Sequence, residues 1–244
     1  MLKMKYLNAL EAFLMSGKDF TLVYKPVAPP TPATRLLILD SSFNPPHMGH
    51  FTLAKEALDH DFGTSASSNH LLLLLSVKNA DKVVPVPASF EHRLSMMHLM
   101  AKALEKSDIS VSIGLTTHAK FAEKSAAIQA FLGQDSTWMS PCVSSFITNT
   151  DLFCLTRAAS GTEFDAQQKY MSQIASGHFP DIPRSWARNI FMKTVAAKRD
   201  TIGAISSSGI RHAYDAESAP QNLPLLEEID GYIRSNNLYG KAAL

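Results

Sequence analysis

The sequence predicts an α/β protein built on a parallel sheet flanked by helices. Three observations predict it. The first is a pair of apolar runs, Leu36–Leu39 and Leu71–Val77, whose length suits parallel strands buried on both faces. The second is that stretches with helical spacing alternate with these runs. The third is the loop after the first run. It is polar and holds Pro45 and Pro46, which lack the N–H a central strand needs. In an open parallel sheet that loop lies beyond the carboxyl end of a strand, where ligands bind.

The elements follow in chain order. Residues 4 to 15 form an amphipathic helix with Leu7, Leu10, Phe13 and Leu14 on one side, expected to pack on the domain. Lys25–Thr34 is proline-rich and reads as an extended linker, so residues 1–34 are expected as an appendage and 35–244 as the domain. A helix begins at about Met48, with Phe51, Ala54 and Leu58 on one face. Gly63–Asn69 is a loop. Past the second apolar run stand Lys78 and Lys82, which fit either phosphate partners or solvated lysines. Phe90–Ala103 reads as a helix with Leu94, Met96, Met97 and Met100 in the core, since methionine at this spacing packs more often than it lines a cofactor site. Ile109–Leu115 alternates as a strand, and Phe121–Leu132 is helical, with His118 an ordinary loop residue between them. Asp151–Arg157 and Asn189–Val195 read as strands around a helix near Phe164–Ile174. Gly203–Ser206 ends a short strand, a helix covers about Gly209–Tyr214, and a closing helix covers Leu223–Leu238 with Leu226, Ile229 and Ile233 inward.

Composition narrows the class. Over 244 residues the apolar fraction is 45% and the charged fraction 18%, as in soluble globular domains. A net charge of +1 does not argue for bulk nucleic-acid binding. Two cysteines, Cys142 and Cys154, are too few for a disulfide framework and lack metal spacing, so a reducing compartment is expected. No apolar run is long enough to span a membrane, and the N-terminus has neither a secretory apolar core nor, with Glu11 and Asp19, the character of a mitochondrial presequence. The cytoplasm, the nucleus or both are the expected locations.

Two stretches carry chemistry. His47 and His50 flank the start of the first domain helix, where free N–H groups favour an anion. Each imidazole can donate to a phosphoryl oxygen, and Gly49 lets a nucleotide approach the backbone. The pair also fits a zinc site or two surface histidines. No Cys/His cluster nearby completes four ligands, so no resident metal site is expected. Downstream, Ser206, Ser207 and Ser208 open a helix with Arg211 one turn in. One serine is what an N-cap needs. Three serines with a guanidinium offer hydroxyls, backbone N–H groups and positive charge to one anion.

The run Ser41–His50, SSFNPPHMGH, resembles the first signature of nucleotidylyltransferases carrying His-x-Gly-His. It is most similar to the fungal branch of the nicotinamide mononucleotide adenylyltransferases, although the wider superfamily more often has glycine where Ser41 sits. Ile205–Arg211, ISSSGIR, resembles that family's second signature, Ile-Ser-Ser-x-x-x-Arg. Similarity extends over about residues 36–132 and 151–239. It takes in Ser76–Lys82, Arg93 in its helix, Lys120, Phe121 and Lys124, and the ending Asn237-Leu238-Tyr239. It fails at 134–150. There the family places a strand, Gly-x-Asp-Thr and an arginine-bearing helix that contact the nucleotide and shape the nicotinamide pocket; this chain runs Gln134–Cys142 and VSSFITNT instead. Loss of roughly one strand and one helix is the simplest account. Trp138 offers a surface for base stacking, but buried packing is the expectation.

The resemblance implies a Rossmann-like, nucleotidylyltransferase-type sheet with both signatures at its carboxyl edge. It implies that ATP and nicotinamide mononucleotide (NMN) are joined to give NAD and pyrophosphate, with magnesium riding on the triphosphate. It assigns His47, His50 and Arg211 to catalysis. Ser42, Phe43, Gly49, Lys78, Ser206, Ser207 and Ser208 are assigned to ATP and its phosphates. Three other readings stand beside this one. The first is an enzyme of the superfamily with another phosphate acceptor, such as phosphopantetheine or a choline-type phosphate. The second is a nucleotide-binding protein without activity, favoured by the altered 134–150 stretch. The third is a relic of a class I aminoacyl-tRNA synthetase, against which stand the short chain and the missing Lys-Met-Ser-Lys-Ser loop.

Overall fold

Side chains alternate across a strand, so the leucine run of β3 (Asn69–Ser76) has to be covered on two faces. Leu71, Leu73 and Leu75 enter a larger core, and Leu72 and Leu74 a smaller one; all five are at most 2% exposed. The computed structural model describes residues 1–26, 35–62, 69–78, 88–134, 150–156, 161–180, 182–193, 205–216 and 222–240. The chain divides into two compact units, Met1–Pro141 with Ser206–Leu244, and Cys142–Ile205.

In the first unit β2 (Arg35–Asp40) and β4 (Ser110–Thr116) flank β3 and run parallel to it, with Leu37 opposite Leu71 and Leu73 opposite Ile113. Strand β1 (Phe20–Tyr24) pairs antiparallel with β4, giving the order β1-β4-β3-β2. Gly114 makes room for this pairing, because a Cβ there would lie 2.6 Å from the Phe20 ring. The larger core is closed by α1 (Leu2–Met15), α2 (Met48–Leu58) and α3 (Phe90–Glu105). Leu94, Met96, Met97 and Met100 of α3 are fully buried in it, as the methionine spacing predicts. The smaller core lies under α4 (Phe121–Gln134), where Ile128 packs with Phe20 and Leu72.

The second unit holds β5 (Leu152–Leu155) paired in parallel with β6 (Ile190–Lys193), the helix α5 (Gly161–Ser176) and a 3-10 turn, Arg184–Asn189. Gly177 ends α5 at φ +79°, a left-handed position that suits glycine. The first unit closes with α6 (Ser207–Asp215) and α7 (Glu227–Ser235).

Several expectations change. Leu36–Leu39 is not buried on both faces. β2 ends the described sheet, its residues are half-buried, and Ile38 is 41% exposed. Strand β1 is absent from the sequence reading, and with α1 it packs into the same unit as the strands after residue 34. On α1 the buried face is Tyr6, Leu10 and Phe13, whereas Leu14 turns outward. The closing helix is shorter than Leu223–Leu238, because Pro224 leaves 223–226 outside it. Ile229 and Ile233 do face inward, fully buried. Residues 27–34 of the linker and 135–149 of the altered stretch, with Lys82, Trp138 and Cys142, lie outside the described residues. No helix among the described residues is long and apolar enough to cross a membrane.

Candidate active site

The loop from β2 to α2 is fixed residue by residue. Ser41 N–H donates to the Leu74 carbonyl at 3.4 Å, the last link to β3. Ser42 is exposed. Phe43 takes φ +45°, which costs a side-chain-bearing residue about 1 kcal/mol. Its fully buried phenyl offsets that cost and anchors the loop. Asn44, 2% exposed, accepts at Oδ1 from Ala88 N–H (3.1 Å) and from the Tyr239 hydroxyl (2.8 Å). Burial raises the pKa of Tyr239 above the usual phenol range, so its hydroxyl stays a donor.

The two histidines brace each other at the start of α2. His47 is its N-cap, and the Nδ1 atom accepts from Gly49 N–H at 3.1 Å. His50 Nδ1 accepts from His47 N–H at 3.2 Å. An imidazole nitrogen that accepts carries no hydrogen, so each neutral ring bears its N–H on Nε2. His50 Nε2 donates to Ser41 Oγ at 2.9 Å. The rings lie 3.9 Å apart, with Phe43 5.1 Å from His50. Both N–H groups thus come from the N-terminal end of a helix, where the dipole favours negative charge.

The second signature meets the first. Ser206 caps α6, its Oγ accepting from Gly209 N–H at 3.0 Å. Ser207 Oγ donates to the Pro45 carbonyl at 2.9 Å. Arg211 donates through Nη1 to the Asn44 carbonyl at 2.7 Å and through Nη2 to Ser208 Oγ at 3.2 Å. A guanidinium has five donors, so these bonds leave others for an anion. Met48 N–H donates to the Pro224 carbonyl at 2.9 Å, which ties the start of α2 to the segment before α7.

So the fold brings His47, Gly49, His50, Ser207 and Arg211 into one bonded assembly, with Ser206 and Ser208 at its helix start. Lys78 stands apart. It is exposed beyond β3, and its backbone N–H bonds to Ser76 Oγ at 3.2 Å. Sequence reading passed over three supports. Asn44 entered the sequence reading only as one residue of the run Ser41–His50. Asp40, the last residue of β2, pairs with Lys124 of α4 at 2.6 Å, both side chains nearly buried. Ser41 positions His50. Among the described residues no group of three or more His, Cys, Asp or Glu side chains is arranged to hold a metal ion.

A largely parallel sheet flanked by helices, with two such helix starts brought together, makes this an α/β protein of mixed sheet. The chain belongs to the cytidylyltransferase-like family, whose sequence model matches residues 38–213. A Schizosaccharomyces pombe protein with the provisional name nicotinamide mononucleotide adenylyltransferase is 30% identical over 230 residues, covering 86% of each chain. The solved Plasmodium falciparum nicotinic acid mononucleotide adenylyltransferase complexed with APC is 14% identical, with a TM-score of 0.48, over 84% of this chain and 96% of that one.

Proposed function

We propose that the chain transfers the adenylyl group of ATP to NMN. A 5′-phosphate oxygen of NMN bonds to the α-phosphorus, and the bond from that phosphorus to the α–β bridging oxygen breaks. The electron pair leaves with pyrophosphate, and NAD is the other product. The observation that carries this reading is the bonded assembly of the two signatures around Asn44 and Pro45. The relationship to the S. pombe protein supplies the acceptor.

In this reading the protein forms no covalent intermediate. Its work is positioning and stabilisation of charge. The Nε2–H of His47 and of His50 donate to phosphoryl oxygens as negative charge grows on the leaving group. His50 exchanges its Ser41 bond for one to phosphate. The remaining Arg211 donors, with Ser207 and Ser208, hold the β- and γ-phosphates, and Ser42, Phe43 and Gly49 bring loop backbone to the nucleotide. Lys78 adds a cation near the same sheet edge. Magnesium enters as part of the ATP substrate, held by phosphate oxygens and water in keeping with its slow dehydration. We place the reaction in the cytoplasm, the nucleus or both.

The test is NAD formation by the purified chain from ATP, magnesium and NMN. The wild-type chain forms NAD, and His50→Ala lowers turnover at least about tenfold while the fold survives, as removal of one preorganised donor does. Near-normal turnover in that variant would sink the reading. ATP binding without NAD formation points to a nucleotide-binding protein without activity or to another acceptor, and a panel of phosphate acceptors separates the two.

A further inference from the structure

Arg93 lies on α3, outside both signatures. It is 4% exposed. Its Nε donates to the Ala88 carbonyl at 2.7 Å, and its guanidinium carbon sits 4.8 Å from the centre of the Phe90 ring. Among the described residues its Nη groups have no hydrogen-bond partner, and no carboxylate pairs with Arg93 or Arg211. A buried charge without a counter-ion is costly, and proteins ordinarily neutralise it. Burial and the Arg211 charge both lower the pKa of Arg93, with Tyr239 opposing. The two arginines are also linked through bonds. Ala88, which accepts from Arg93, donates its N–H to Asn44 Oδ1, and the Asn44 carbonyl accepts from Arg211.

We propose that Arg93 is a positioning residue of the polyphosphate site. Through Ala88 and Asn44 it steadies Arg211, and its charge, paired with no carboxylate among the described residues, makes this edge a stronger trap for pyrophosphate or a triphosphate. The ligand supplies the negative charge that no carboxylate among the described residues provides. The proposal rests on the reading of the second signature as a phosphate site and extends it to a residue on a different element.

The test uses the full chain and inorganic pyrophosphate as the probe, followed by calorimetry. Arg93→Gln keeps an amide donor for the Ala88 carbonyl and removes the charge. It weakens pyrophosphate binding about five- to tenfold, the size expected of one charge in a partly screened site. It raises KM for ATP by a similar factor, leaves KM for NMN within about twofold, and makes pyrophosphate binding less dependent on salt. Arg93→Lys retains the charge and stays within about threefold of wild type. A merely structural arginine would instead leave pyrophosphate affinity unchanged in a folded Arg93→Gln, and that result overturns the proposal. A tenfold loss in Arg93→Lys overturns it too, whatever Arg93→Gln does. If wild-type protein itself fails to bind pyrophosphate, the phosphate site falls and this inference falls with it.

Discussion

Arg211 donates to the Asn44 carbonyl at 2.7 Å, across 167 positions of sequence. The bond makes the shape of the histidine loop depend on a residue near the other end of the chain. Arg211→Lys keeps the charge but loses the planar fork that serves Asn44 and Ser208 together. Its kcat/KM for ATP is predicted to fall at least about tenfold, a loss of roughly 1.4 kcal/mol of transition-state stabilisation. Steady-state kinetics with varied ATP checks this, and an unchanged kcat/KM contradicts it.

Asn44 is the buried hinge of the same assembly. Asn44→Ala leaves the Ala88 N–H and the Tyr239 hydroxyl without their acceptor. Each buried donor left unsatisfied costs about 1–3 kcal/mol, so the variant is expected to lose about 2–4 kcal/mol in urea unfolding. Tyr239→Phe removes one partner only and loses about 1 kcal/mol. Equal losses in the two variants would show that Asn44 is not the hinge.

Asp40 and Lys124 form an ion pair with side chains 13% and 10% exposed. Removing one partner strands the other. Lys124→Met is predicted to destabilise by about 3–5 kcal/mol, while the double variant Asp40→Asn/Lys124→Met recovers a good part of that. A double-mutant cycle by chemical denaturation measures the coupling. Simple additivity would mean the two side chains do not interact.

His70 is fully buried in the sheet, its ring nitrogens bonded to Ser110 Oγ (2.8 Å) and Ser112 Oγ (3.0 Å). Burial pushes its pKa down to about 4 from the usual 6.5. Between those values the unfolded chain binds a proton that the folded chain does not. Stability therefore rises with pH from about 4 to about 6.5 and is level above, with a span of about 3 kcal/mol from this group. His92 and His98 are lowered by burial as well and act in the same direction. Urea midpoints between pH 4.5 and 7.5 are predicted to climb, and His70→Gln to flatten the climb in part. A midpoint that rises as the medium is acidified would refute this.

Much of the site was legible because its parts are local. A strand, a proline-bearing loop and a helix follow one another within Leu36–Leu58, so His47 and His50 could be placed at a helix start from spacing alone. Ser206–Arg211 was readable for the same reason, although the helix starts at Ser207 rather than Gly209. The leucine run of β3 announced a strand covered on both faces. Long-range pairing was not legible. Phe20–Tyr24 becomes a strand only by joining β4, about 90 residues later. The four apolar residues of β2 cannot say whether a neighbour lies on each side.

The sequence by itself therefore determined the parallel strands, the two helix starts and the polar side chains gathered at them, since each follows from periodicity, turn chemistry and residue type. Only the tertiary structure decided how those residues are held. It placed Asn44 between Ala88, Tyr239 and Arg211, paired Asp40 with Lys124, and left Arg93 buried with no carboxylate partner among the described residues. The physical reason is that burial and hydrogen-bond partnership belong to pairs of residues far apart in the chain. A single residue's chemistry does not reveal which partner, if any, folding will bring to it.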